Sequence, residues 1–124
     1  MKLLLDTVAY LWAADASPRL STSAAEAITN RANLVLFSIA SAWEVSIKAS
    51  LGKLKIVADF EDSLERFGAT VLPISLDHTA AVLTLPLHHR DPFDRMLVAQ
   101  AQRERAVVVT SDPIFAKYGV AVLW

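Results

Sequence analysis

A chain of 124 residues, 54% of them hydrophobic, has enough apolar material for one self-supporting core, so a single domain over 1–124 is expected. It contains no cysteine, which excludes disulfides and thiolate metal sites and fits a reducing, cytoplasmic setting. Its formal net charge of −1 excludes a global field that would draw it to nucleic acid, so any such affinity has to be local. The mean hydropathy of +0.39 is high for a small domain. It predicts a sheet wrapped on both faces plus an apolar surface covered by a partner.

The opening "MKLLLDTVAYLW" is too short, and too interrupted by Asp6, to read as a secretory leader. No apolar run approaches the length of a membrane span, so no membrane association is expected. "KLLL" (Lys2–Leu5) reads as a strand and "TVAYLWAAD" as a helix. "STSAAEAITNRA" begins with cap-type residues and predicts a helix, and "NLVLFS" a buried strand. "IASAWEVSIKASLGK" predicts a helix closed at Gly52, and "DFEDSLERFG" a shorter one with Phe60, Leu64 and Phe67 on one stripe. "ATVLPI" is a strand that ends at Pro73 or lies at an edge. Two more helices follow, "SLDHTAAVLTL", stopped before Pro86, and "DPFDRMLVAQAQRER". The buried strand "AVVVT", a helical turn or two in "DPIFAKYG" and a terminal strand "VAVLW" complete the chain. Strands alternating with helices require crossover connections. The expected fold is therefore α/β, with a mostly parallel sheet covered on both faces.

In an open α/β sheet, ligands bind beyond the carboxyl ends of the strands. Four acids fall there. Asp6 ends "KLLL", and Asp112 follows "AVVVTS". Glu44 lies in the first turns of the helix after "NLVLF", and Asp94 in the first turn of the helix before "AVVVT". Each has a structural alternative. Asp6 and Asp112 suit helix caps, the latter preceding Pro113, and Ser41–Glu44 and Asp91–Asp94 both have the spacing of capping boxes. Topology nevertheless gathers all four at one end of the sheet, where crowded carboxylates repel unless a cation is present. Oxygen donors without sulfur favour Mg²⁺ or Mn²⁺, and such a site suits phosphodiester hydrolysis. Setting these four aside leaves twelve basic against nine acidic residues, a mildly basic rim around an acidic hole.

In "DPFDRMLVAQAQ", Asp91 reads as the cap, with Pro92 in the first helical position. Asp94 continues the inward row of Leu97, Val98 and Ala101 to the open end of the helix. A carboxylate there is costly unless it binds something, so metal binding falls to Asp94 and capping to Asp91.

"LLLDT", "SAWEVSIKASLGKL", "LPLHHRDPFDRMLVAQAQ" and "VVVTSDPIF" together resemble, in order and spacing and nearly end to end, the PIN-domain ribonucleases of the VapC toxin type. The resemblance implies a three-layer α/β/α sandwich and a Mg²⁺- or Mn²⁺-dependent endoribonuclease. It also implies a homodimer that acts on RNA and is held inactive by a cognate antitoxin. Position by position it places the catalytic, metal-binding acids at Asp6, Glu44, Asp94 and Asp112. The sequence departs from the family in having Val8 where a Ser or Thr often stands two residues after the first acid. Thr7, Thr110 or Ser111 would have to supply that hydroxyl.

A receiver-type phospho-acceptor domain has the same length and alternation. It needs an acidic pair after the first strand and a late lysine, where this chain has Asp6 alone and Thr110-Ser111-Asp112. A catalytically inert PIN-like interaction module would have no need of four acids. His88 and His89 read as loop residues beside the site, and His78 as solvent-facing. Trp12, Trp43, Ile47, Leu51, Phe60, Leu64 and Phe67 read either as core or as a groove for the antitoxin. Lys48, Lys53, Lys55, Arg90 and Arg95 read as solvated charges, some of which could line an RNA path.

Overall fold

The computed structural model describes residues 1–55 and 59–124. Strand β1 (Lys2–Leu5) is followed by helices α1 (Thr7–Ala14) and α2 (Thr22–Thr29), then by β2 (Leu34–Ser38). Helices α3 (Ile39–Ser50) and α4 (Phe60–Phe67) lead to β3 (Thr70–Leu72). Next come α5 (Leu76–Val82), α6 (Pro92–Glu104) and β4 (Val107–Val109). A 3₁₀ segment (Pro113–Tyr118) and β5 (Val122–Leu123) close the chain.

The strands form one sheet in the order β3-β2-β1-β4-β5, and every pairing is parallel. The sequence reading of a mostly parallel sheet with helices on both faces holds, and the sheet is parallel throughout. Three strands are short apolar runs because parallel strands are buried on both sides. Leu3, Leu5, Val35, Phe37 and Val109 face the helices α1, α2 and α4. Leu4, Leu36, Leu72 and Val108 face α5 and α6. Pro73 lies immediately beyond β3, which is also an edge strand, so no ladder amide is lost.

The chain runs outward from β1 through β2 to β3, then returns to place β4 on the other side of β1. The carboxyl ends of β1 and β4 therefore flank a switch point, where the following loops diverge and leave a crevice.

Several local expectations are corrected. Of the core and groove readings, Phe60 and Phe67 take the core: with Leu64 they pack on Tyr10 and Phe37, at ring-centroid distances of 6.0 Å for Tyr10–Phe60 and 6.4 Å for Tyr10–Phe67. Their stripe is consumed by the core because α4 covers that face of the sheet. Trp43 and Leu51 remain exposed, and Trp12 packs against Trp124. His78 is buried, not solvent-facing. It completes a capping box with Ser75 at the start of α5, and its Nε2 lies 3.0 Å from Glu104 Oε2 on α6.

Candidate metal centre

Asp6 follows the last residue of β1. Its amide still donates to Val109 O, so the carboxylate is fixed at the β1–β4 boundary. One oxygen caps α1, accepting from Ala9 N–H at 2.7 Å, and the other accepts from the Thr110 hydroxyl at 2.6 Å. Thr110 Oγ1 in turn accepts from the Asp112 amide at 3.0 Å. Asp112 caps the 3₁₀ segment with one oxygen, accepting from Ile114 N–H at 2.9 Å, which leaves the other oxygen to face the crevice. For Asp6 and Asp112 the cap and the site are thus compatible, because each carboxylate oxygen can accept more than one interaction.

Glu44 is buried on the second turn of α3. Its Oε1 accepts from the Thr7 hydroxyl at 2.6 Å, and its Oε2 accepts from the Lys48 ammonium at 2.7 Å. The Glu44–Ser41 capping box does not form. Ser38 caps α3 through Ala40 N–H, one turn earlier than the Ser41 spacing suggested, and Ser41 Oγ lies 3.0 Å from the Thr7 hydroxyl. Lys48 is thereby part of the site, not a merely solvated charge. The hydrogen bond to Glu44 raises its pKa above the usual lysine value, burial opposes this, and Asp91 and Asp94 add to the rise.

Asp94 stands in the first turn of α6, with its side chain 22% exposed. Asp91 alone caps that helix, its Oδ1 accepting from Phe93 N–H at 2.8 Å and Asp94 N–H at 3.0 Å. The division between a capping Asp91 and a site-facing Asp94 agrees with the inward row read from the sequence, since Leu97, Val98 and Ala101 are buried.

His89 joins the acids. Its Nε2 lies 3.0 Å from Asp94 Oδ2 and 3.2 Å from Asp112 Oδ2. One donor atom each from His89, Asp94 and Asp112 lies within 4.8 Å of the others, a span that one cation can fill. Asp6 and Glu44 border this triad closely enough to act on it. Burial raises the Asp6 carboxyl pKa against the opposing hydrogen bonds from Thr110 and Ala9, and the charges of Asp112 and Glu44 raise it further. Asp94 is pushed up to about 7, chiefly by burial and then by the charge of Asp91, while His89 pulls it down.

The donor set fits a hard divalent ion: carboxylate oxygens dominate, there is no sulfur, and the repulsion among the acids falls when positive charge enters. Sequence reasoning placed the four acids but missed the geometry of His89, Lys48 and Arg95. Arg95 is not a free charge: its guanidinium donates to Pro86 O, His89 O and the Tyr118 hydroxyl. The one legible signal was the Glu44–Lys48 spacing of i to i+4 on a helix.

The fold has close counterparts. One is a chain of VapBC2 from Rickettsia felis, solved bound to a DNA fragment from its promoter. It aligns at a TM-score of 0.71 and 17% identity over 99% of this chain and 98% of that one. FitAcB from Neisseria gonorrhoeae aligns at 0.65 and 17% identity, over 98% and 96%. VapBC-1 from nontypeable Haemophilus influenzae aligns at 0.60 and 15% identity, over 99% and 97%. At these identities the likeness is one of fold. No curated protein matches the sequence. The PIN domain family matches it from residue 3 to residue 121, nearly the whole chain, and the chain belongs to the PIN domain family.

Proposed function

We propose that residues 1–124 act as one PIN domain of the VapC toxin type, a Mg²⁺- or Mn²⁺-dependent endoribonuclease restrained by a cognate antitoxin in the cytoplasm. The observation that carries this reading is the convergence of Asp6, Glu44, Asp94 and Asp112 on the switch point of a parallel sheet. Half-buried Asp94 there has its pKa pushed up to about 7, chiefly by burial and by the charge of Asp91. Such a group is poised to exchange its proton for a metal.

Asp6, Asp94 and Asp112 would hold the ion, with Glu44 beside them. When bound, the ion would supply an activated water and neutralise charge on the leaving oxygen. The chain's own residues do the positioning. Thr110 fixes Asp6 relative to Asp112 through two hydrogen bonds, and Thr7 orients Glu44. Lys48 brings a cation to the rim, where a backbone phosphate would meet it.

Among the described residues no helix is long and apolar enough to cross a membrane. The similar structures are of VapBC and FitAB assemblies, which supports a protein partner for this chain too. The antitoxin would cover exposed Trp43 on α3 and Leu51 at its C-terminal cap and reach the acids with a basic group. A homodimer is expected through the apolar face of α5.

The test is cleavage of labelled RNA by partner-free protein, with and without Mg²⁺ or Mn²⁺. Cleavage should require the ion and stop with EDTA. Asp6→Asn keeps the cap but removes the charge, and should lower the rate by about two to three orders of magnitude. Cleavage that survives EDTA sinks the metal mechanism. A folded wild-type protein inert under every metal condition favours a non-catalytic module.

A further inference from the structure

His89 is held from every side. Its own amide donates to the Tyr118 hydroxyl at 2.8 Å, and its carbonyl accepts from Arg95, which also donates to Pro86 O and to the Tyr118 hydroxyl. The loop before α6 is thereby tied to the 3₁₀ segment after β4. The ring sits edge-on to Phe115, with centroids 6.3 Å apart and planes at 77°. Its Nδ1 accepts from the Asp91 amide at 3.2 Å.

That last bond decides the ring's role. A nitrogen accepting from an amide carries no proton, so in the neutral ring the proton is on Nε2. Nε2 then faces Asp94 Oδ2 at 3.0 Å and Asp112 Oδ2 at 3.2 Å as a donor shared between two carboxylates. A protonated nitrogen has no lone pair to give a metal. A metal-ligating imidazole needs the opposite arrangement, with its second nitrogen donating its proton outward.

We propose that His89 is a positioning residue of the centre: its Nε2–H holds the Asp94 and Asp112 carboxylates, which come from different elements, converged on a bound divalent ion without ligating that ion. This rests on the metal-centre reading above. Asp94 is carried by α6 and Asp112 by the segment after β4, and repulsion between them would otherwise spread the pair. Asp94 Oδ1 would remain for the metal, and Asp112, whose Oδ1 caps the 3₁₀ segment, would offer a second lone pair of a carboxylate oxygen.

The experiment is Mn²⁺ titration by calorimetry on the whole chain, with His89→Ala and His89→Gln beside wild type and thermal melts of all three in the metal-free form. His89→Ala should weaken Mn²⁺ binding about 10- to 100-fold, the range found when partners of ligating groups are removed. His89→Gln returns an N–H donor near the Nε2 position and should restore most of the affinity. Pulsed EPR of Mn²⁺ bound to wild type should show no directly coordinated nitrogen. In the metal-free wild type, ring ¹⁵N resonances should place a proton on Nε2. Unchanged or tighter binding by His89→Ala overturns the proposal, as does a coordinated nitrogen or a proton on Nδ1 alone. If Ala and Gln bind equally weakly while both melt like wild type, donation from this position is not the reason and the proposal falls. A flat wild-type isotherm removes the metal centre itself, and is told apart because it is seen without any substitution.

Discussion

Asp91 and Asp94 are three residues apart and do opposite things. Asp91 satisfies two free amides at a helix start, a gain of about 1 kcal/mol of stability. Asp94 is set into the core-facing row and stabilises the ion-free fold only when it is neutral. Its carboxyl, raised from 3.8 to about 7, keeps a proton that the unfolded chain has lost through the whole interval between those values. The folded form binds more protons there, so the ion-free protein loses stability as pH rises from about 4 through about 7. Asp94→Asn removes that dependence. Chemical denaturation at pH 8 without metal should find the variant more stable than wild type by about 1 to 2 kcal/mol, a figure discounted for the part of the side chain that meets water. The difference should shrink toward pH 5. Added Mn²⁺ should stabilise wild type far more than the variant, which should also lose RNA cleavage. Asp91→Ala should show the reverse signature, losing about 1 kcal/mol with most activity kept. A stabilised Asp91→Ala or a fully active Asp94→Asn contradicts the division of labour.

At the level of elements, α6 is pinned by polar groups as well as by packing. Gln100 has no exposed surface. Its Oε1 accepts from the Ser38 hydroxyl at the end of β2, at 2.5 Å, and its Nε2 donates to Pro73 O beyond β3, at 3.3 Å. Ser38 also caps α3, so one glutamine aligns α6 with two strand ends and with the helix that carries Glu44. A residue of this kind costs little while paired and much when one partner is removed. Gln100→Leu should cost about 2 to 3 kcal/mol in denaturant unfolding, because the fully buried Ser38 hydroxyl is left without its acceptor and Pro73 O loses a donor. A loss under half a kilocalorie would mean that solvent reaches those groups. No local pattern announces this: Gln100 falls on the same stripe as Phe93 and Met96, and only the arrival of two strand ends beneath it makes an amide the fitting side chain. His78 teaches the same lesson, since its burial depends on Glu104 lying on the neighbouring helix.

For the whole molecule, the high apolar content has a visible destination. Leu76 and Leu83 on one side of α5 are 87% and 86% exposed, and Leu87 just beyond is 70% exposed. Beside them, Trp43, Val82, Leu87, Phe93 and Met96 line a cleft of about 490 Å³. Leucines set two turns apart on a short helix gain nothing from water, and self-association through this face would bury them. Light scattering should give twice the chain mass for wild type. Leu83→Glu should give the monomer mass with an unchanged far-ultraviolet circular dichroism spectrum. A monomeric wild type, or a dimer indifferent to that substitution, rules this face out.

By itself the sequence determined what is local or periodic. The alternation of apolar runs dictated a parallel sheet between helical layers, because a strand buried on both faces must be apolar throughout. The proline after Asp91 dictated a helix start, because that amide has no partner to lose. The position of each acid at a strand or helix end followed from these two facts. What only the tertiary structure decided is which groups from distant segments meet. Thr7 meets Glu44 because α3 enters beside the start of α1, and Phe60 and Phe67 join the core because α4 closes over Tyr10. His89 reaches both Asp94 and Asp112 because Arg95 and Tyr118 fix its loop from two separate elements. A loop carries no periodicity to fix the direction of its side chains. Contacts across the sheet fix it instead, and no local pattern encodes them.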